Sequence, residues 1–214
     1  MQTFQRIAPI AAQQAGFVST AQAARVGVAA RALTRLAAAG VPDRPLRGVF
    51  RVLAAPTPPR SEILAAWTLL QGDRLPWEQA LEGQPAVVIS HTSAAQIHGL
   101  GTFPVNRPTF VVTRRRHDPP SGVYRSFALP LEAPDWVWEY LPEGIRVAVT
   151  TPERTLIDLA WTEADPDHVR EALVRALAAG AVDRGALRAA LDRRWQRRGR
   201  GTPAWFKTEL EAGG

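Results

Sequence analysis

The chain of 214 residues contains no cysteine, one methionine and a single lysine. Without cysteine there is no disulfide framework, no zinc ribbon and no thiol nucleophile, which fits a reducing cytosol. The lone lysine, Lys207, sits in FKTEL near the end of the sequence. A nuclease centre of the carboxylate-plus-lysine kind would need its lysine near paired acids, and this is the one lysine available to it. No Walker-type phosphate loop, dinucleotide glycine fingerprint or G-x-S-x-G elbow is present. No apolar run approaches the roughly 20 residues that cross a bilayer. The opening stretch, MQTFQRIAPIAAQQAG, lacks the basic start and long apolar core of a signal peptide. Together these absences predict a cytoplasmic, non-enzymatic protein with no cofactor and no metal.

What the chain does hold is apolar residues and arginine. Hydrophobic residues make up 46% of the sequence, enough for a substantial core. The net charge of +6 is unevenly spread. Residues 1–60 carry eight arginines against one acid, Asp43. Residues 61–180 carry ten arginines against fifteen acids, and residues 181–214 are again basic. The positive field therefore lies at the two ends.

The first basic end coincides with the most informative stretch, STAQAARVGVAARALTRLAAAG followed by VPDRPLRGVFRVL. It reads as a helix, a tight turn at Val26-Gly27-Val28, a second helix and a small basic hairpin. That succession is a winged helix-turn-helix. In the second helix Ala30, Leu33, Leu36 and Ala37 recur at three- and four-residue spacing and predict a buried stripe. Arg31, Thr34 and Arg35 are neighbours on the opposite side. Gly40 ends the helix, and Arg44, Arg47 and Arg51 follow around Gly48. Arginines offered from one helix face beside a basic hairpin suit a major groove flanked by phosphates. Residues 3–15 predict a bracing first helix.

Ala-Ala-Pro-Thr-Pro-Pro at 54–59 is a stiff linker. The organisation expected is a winged helix over 1–54, a linker at 55–60 and an α/β domain over 61–214. Ser61 should cap a helix to about Leu70. Ala86 to Ile89 reads as a buried strand, and 90–101 as a short helix. Residues 107–141 predict antiparallel sheet, with Pro-Pro-Ser-Gly at 119–122 turning one strand into the next. Trp136, Trp138 and Tyr140 share one face of a further strand, and Ile145, Val147 and Val149 supply another. Thr151-Pro152 opens a helix, and helices then run to the end. The fold class is α+β: a winged helix-turn-helix, a mixed α/β domain and a helical C-terminal end.

Four landmarks in this order resemble the AbiEi-type antitoxins of the abortive-infection, type IV toxin–antitoxin systems. They are the winged helix ending in RGVFRV (47–52), SHTSAAQIHGL (90–100), TFVVTRRR (109–116) with GVYRS (122–126), and VAVTTPERTLIDLA (147–160) with EALVRALAAG (171–180) behind it. The resemblance implies a DNA-binding antitoxin that represses its own operon by binding double-stranded operator DNA upstream. It also implies a nucleotidyltransferase-like toxin, countered without a necessary stable complex. By position the recognition-helix role falls on Arg31, Thr34 and Arg35, and the wing role on Arg44, Arg47 and Arg51. The chain departs from the pattern at Ala29, where Ser or Thr commonly caps the recognition helix, and at Phe50, which replaces the usual Tyr. It also ends before the nuclease-like extension that some relatives carry, which leaves room for a stand-alone regulator.

Other residues carry two readings. His91 and His98 are seven apart with no third ligand by spacing, so packed or capping histidines are expected. Arg154 and Asp158, four apart, should pair. Arg114, Arg115 and Arg116 at a strand end form a solvated turn or a contact to DNA phosphate or an acidic partner. The 184–198 helix should face Leu187, Leu191 and Trp195 inward. Arg188, Arg194, Arg197 and Arg198 then lie outside, as a second nucleic-acid contact or the part that answers the toxin. The Trp136/Trp138/Tyr140 face is either core or the wall of a pocket in a ligand-responsive regulator. A cryptic nuclease is the remaining alternative.

Overall fold

The computed structural model describes residues 2–38, 40, 42–52, 57–79, 83–112, 122–128, 131–162, 165–198 and 203–212, and of residues 42, 43 and 195–198 the backbone alone. The N-terminal part is helix α1 (Gln2–Ala12), strand β1 (Phe17–Ser19), helices α2 (Thr20–Arg25) and α3 (Ala30–Ala38), then strands β2 (Pro42–Leu46) and β3 (Val49–Val52). The strands form an antiparallel sheet in the order β1-β3-β2. Ser19 starts α2 with a full capping box: its Oγ accepts the Gln22 N–H at 3.0 Å, and the Gln22 Oε1 accepts the Ser19 N–H at 3.0 Å. Ile7, Ile10, Val18, Ala23, Val28, Leu33 and Phe50 close a core between helices and sheet. The stripe on α3 is narrower than its spacing predicts. Leu33 is fully buried and Ala37 packs against the core, whereas Leu36 is half-buried and Ala30, at the first turn, is exposed.

Helix α4 (Ser61–Gln71) is buried over most of its circumference. Arg60 rather than Ser61 occupies its cap position, and no side chain caps it. A helix apolar all round belongs between layers. Accordingly α4 packs on β1, β2 and β3 on one side and on β4 (Val87–Ile89) on another. One cluster runs from Phe17 and Val49 through Ile63, Leu64 and Trp67 to Ile89, Phe110 and Val147. The short helix α5 (Pro76–Gln79) follows α4.

The second sheet holds β4, β5 (Thr109–Val112), β6 (Arg125–Ala128), β7 (Trp136–Leu141) and β8 (Ile145–Thr150), in the order β6-β5-β4-β8-β7. It departs from the expected antiparallel run over 107–141. Strand β5 pairs with β6 in parallel, Thr109 opposite Arg125, and β7 pairs with β8 at the far edge. A tight turn can only make an antiparallel pair, whereas parallel neighbours need a crossover of about a dozen residues. The interval 113–124 is that long. All four residues of β5 are buried, as in a strand covered on both faces. The hairpin reading mistook a central strand for a half-exposed one.

Helix α6 (His91–His98) leaves β4. Helices α7 (Pro152–Thr162), α8 (Pro166–Ala178), α9 (Arg184–Arg198) and α10 (Ala204–Glu211) close the chain around their own apolar cluster, which includes Leu156, Leu173, Leu187 and Phe206. Thr151 Oγ1 accepts the Arg154 N–H at 3.3 Å at the start of α7, and Asp183 Oδ1 accepts the Ala186 N–H at 2.7 Å at the start of α9. The architecture is thus a winged helix-turn-helix, a mixed α/β body and a helical end.

Candidate nucleic-acid interface

The turn between α2 and α3 depends on Gly27, whose φ of +74° is left-handed. A side chain there would also meet Arg6, since a Cβ would lie 2.8 Å from its Nη1. Val28, nearly fully buried, then anchors the entry to α3, and its N–H donates to Ala23 O at 2.8 Å. This fixes α3 across α2 with Leu33 inward and Arg31, Thr34 and Arg35 in solvent. The Thr34 hydroxyl donates back to Ala30 O at 3.2 Å. Helix α3 packs against β2, so the hairpin belongs to the same substructure. Its turn, Arg47-Gly48, places Arg47 in solvent. Gly48 has φ +90°, and its carbonyl accepts the Thr20 N–H at 2.8 Å, which ties the wing tip to the start of α2.

Arg31, Arg35 and Arg47 are exposed and pair with no carboxylate among the described residues. Arg44 is exposed too, its guanidinium carbon 5.6 Å from the centre of the Phe50 ring. Arg51 does not join them, and its expected wing role is corrected. It is 5% exposed and donates to Thr57 Oγ1 at 3.0 Å. Its strand, β3, is the central one of three, and side chains alternate across a strand. Phe50 faces the helix-turn-helix core, so Arg51 turns to the other side, toward residues 57–60. Arg25, at the end of α2, is neutralised by Glu78 through contacts of 2.6 and 2.8 Å. Hydrogen bonds from Arg25 and from the Leu75 N–H hold the Glu78 carboxyl below the usual range.

The other basic candidates divide differently. Arg114, Arg115 and Arg116 lie outside the described residues, as do the side chains of Arg197 and Arg198. Arg188 is exposed and donates to Leu210 O at 3.1 Å, helping Arg184 to cover the last carbonyls of α10. Arg194, expected outside, is 8% exposed. It reaches Asp158 at 3.0 Å and stacks over Trp161 at 5.1 Å. It belongs to a buried charge cluster. Arg154 bridges Asp135 at 2.9 Å and Asp158 at 3.1 Å, and Arg193 grips the other Asp135 oxygen at 3.1 Å. The i,i+4 pairing of Arg154 and Asp158 was legible in the sequence; Asp135 and Arg193, far apart along it, were not. The cluster locks α7 and α9 to the short turn, Ala133–Asp135, that leads into β7.

His91 and His98 are packed residues. His98 Nε2 lies 2.7 Å from Thr150 O. His91 is stacked on Phe127 at 4.6 Å with Nδ1 2.9 Å from Ser90 Oγ, and its backbone is left-handed at φ +53°. Burial pushes its pKa down to about 4; Arg194, Arg154 and Arg125 act in the same sense, and Asp158 opposes them. Among the described residues no three His, Cys, Asp or Glu side chains converge as metal ligands do, and no helix is long and apolar enough to cross a membrane.

Residues 5–53, the segment with this helix-turn-helix and wing, match the family model described as "Transcriptional regulator, AbiEi antitoxin". The N-terminal domain is of that type. Over the whole chain the fold is similar to the crystal structure of the RV2827C protein from Mycobacterium tuberculosis. The TM-score is 0.53 at 14% identity, over 96% of this chain and 73% of that one. At that identity the likeness is one of fold. No curated protein sequence matches the chain.

Proposed function

We propose that the protein is a non-enzymatic DNA-binding antitoxin and autorepressor of a type IV toxin–antitoxin operon, acting in the cytoplasm against a nucleotidyltransferase-like toxin. The reading rests above all on one observation. Arg31 and Arg35 on α3, and Arg47 at the wing tip, are exposed and have no acidic partner among the described residues, in a domain of the antitoxin-regulator type. In this reading Arg31 and Arg35 enter the major groove with Thr34 beside them, while Arg44 and Arg47 meet phosphate. The domain over 61–214 carries the antitoxin function, with the 55–60 linker joining it to the winged helix over 1–54.

Fluorescence anisotropy with the DNA upstream of the gene, against scrambled DNA over a salt series, tests the repressor. Preference for the native sequence is the expected result. Equal, steeply salt-sensitive binding to both would reduce the interface to a basic surface meeting a polyanion and end the proposal. Co-expression with a neighbouring nucleotidyltransferase gene tests the antitoxin: growth arrest by the toxin should be relieved, and relief should survive Arg31→Ala if neutralisation is separate from DNA binding.

A further inference from the structure

A cleft of about 330 Å³ opens between the end of α1, helix α5 and the β7–β8 hairpin. Its walls include Trp67, Trp77, Trp138, Tyr140 and Arg146, with Gln14 at one side. The aromatic face of β7 is graded: Trp136 is 9% exposed within the sheet core, Trp138 is half-buried, and Tyr140 is 78% exposed. Trp77, on the other side, is 41% exposed. Large aromatic surfaces left in water beside a concavity mark binding sites more often than core.

Two buried donors in this cleft, on Arg146 and Trp67, find no acceptor among the described residues. Arg146 stands opposite Tyr140 in the hairpin register, and its guanidinium carbon lies 4.4 Å from the Trp138 ring centre and 5.8 Å from that of Tyr140. The rings hold the fork in place, yet its buried Nε–H meets no acceptor and no carboxylate among the described residues pairs with it. Trp67, 1% exposed, likewise carries an indole N–H with no acceptor among the described residues. Buried donors left unmade are costly, and a stacked arginine is already ordered for a planar anion. We infer that this cleft is a binding site for a small planar aromatic carboxylate: its ring is taken between the exposed aromatics and its carboxylate by Arg146. The volume lies at the small end of ligand sites, suited to one or two fused rings. The site also touches the DNA-binding part, because Gln14 exchanges side-chain hydrogen bonds of 3.0 Å with Gln22 of the α2 capping box.

Isothermal titration calorimetry of the full chain with benzoate, 2-naphthoate and quinoline-2-carboxylate tests this without any DNA, so its outcome is independent of the operator proposal. At least one acid should bind one-to-one at submillimolar concentration. The matching neutral amide and the ring-saturated acid should bind at least tenfold more weakly. Arg146→Gln should weaken the acid at least tenfold and Tyr140→Ala several-fold, while Arg31→Ala leaves it unchanged. Circular dichroism melts check that each variant is folded; should Arg146→Gln fail to fold, Tyr140→Ala, at an exposed position, carries the test. Absence of binding by all three acids, equal binding of amide and acid, or undiminished binding by the variants would overturn the assignment.

Discussion

The arginines of α3 and the wing differ from those of α7 and α9 in one respect: whether a carboxylate answers them. Arg31, Arg35 and Arg47 stand in water with none among the described residues, whereas Arg154, Arg193 and Arg194 are held by Asp135 and Asp158. Arg193 and Arg194 lie in an arginine-rich run as the first set does, so composition alone does not separate them. Burial does: Arg154 and Arg194 are 2% and 8% exposed, while the exposed pairs Arg170–Asp167 and Arg175–Glu171 form a third group, paired yet in water. A guanidinium taken out of water must be matched or it unfolds its surroundings, while one left in water keeps its charge available to an incoming polyanion. In the proposed function the first set is the DNA interface; the second is architecture.

The largest effect should come from breaking the architectural set. Arg154→Ala leaves Asp135 and Asp158 with reduced compensation in a buried cluster. Loss of a buried partner of this kind costs about 3–5 kcal/mol, to be read from urea unfolding. Operator affinity per folded molecule should not change. A variant of unaltered stability would show that the cluster is not what locks α7 and α9 to the sheet.

His91 sharpens the same contrast by adding a charge where burial outweighs the one carboxylate, Asp158, that favours it. Its pKa is about 4 in the folded protein and near 6.5 when unfolded. The unfolded chain therefore binds the extra proton below pH 6.5, and stability falls as pH drops from 6.5 toward 4. By linkage the loss is about 2 kcal/mol by pH 5. His91→Asn, which tolerates the left-handed backbone, should flatten stability over that window in denaturant midpoints; an unchanged slope would assign the pH dependence to other groups.

On the interface side, Arg31→Ala and Arg35→Ala should each weaken binding to the native operator by about 1–3 kcal/mol where the side chain makes a bidentate base contact. Melting temperature should hold, because both side chains are exposed and neither has an ion pair among the described residues. Unchanged affinity in both variants would remove base reading from α3.

How much of this was legible in the sequence follows the range of the interactions involved. The helix-turn-helix was readable because its signals are local: Gly27 in the turn, Leu33 inward and Gly48 in the hairpin. The pairing of β5 with β6 was not, since adjacency of two strands says nothing of direction once the connection exceeds a turn. Arg51 and Arg194 were misplaced for a related reason. Each was read as exposed from being a charged residue in a basic run. Yet Arg51 sits on a central strand, and Arg194 lies over a carboxylate contributed from elsewhere in the chain. The cleft at Arg146 needs α1, α5 and β7–β8 brought together; only the aromatic alternation of Trp138 and Tyr140 announced it.

The smallest expected effect is also the most discriminating within the wing. Arg47 is exposed at the hairpin tip and Arg51, two turns of alternation along the same hairpin, is buried. If Arg47 neutralises one phosphate, Arg47→Ala should weaken binding to native and scrambled DNA alike, and the slope of log affinity against log salt should become shallower by about one. Arg51→Met, which keeps the buried stem and removes the charge, should leave that slope where it was. Were the two variants to flatten the slope equally, charge on this hairpin would act as a diffuse field rather than through the contact its geometry offers.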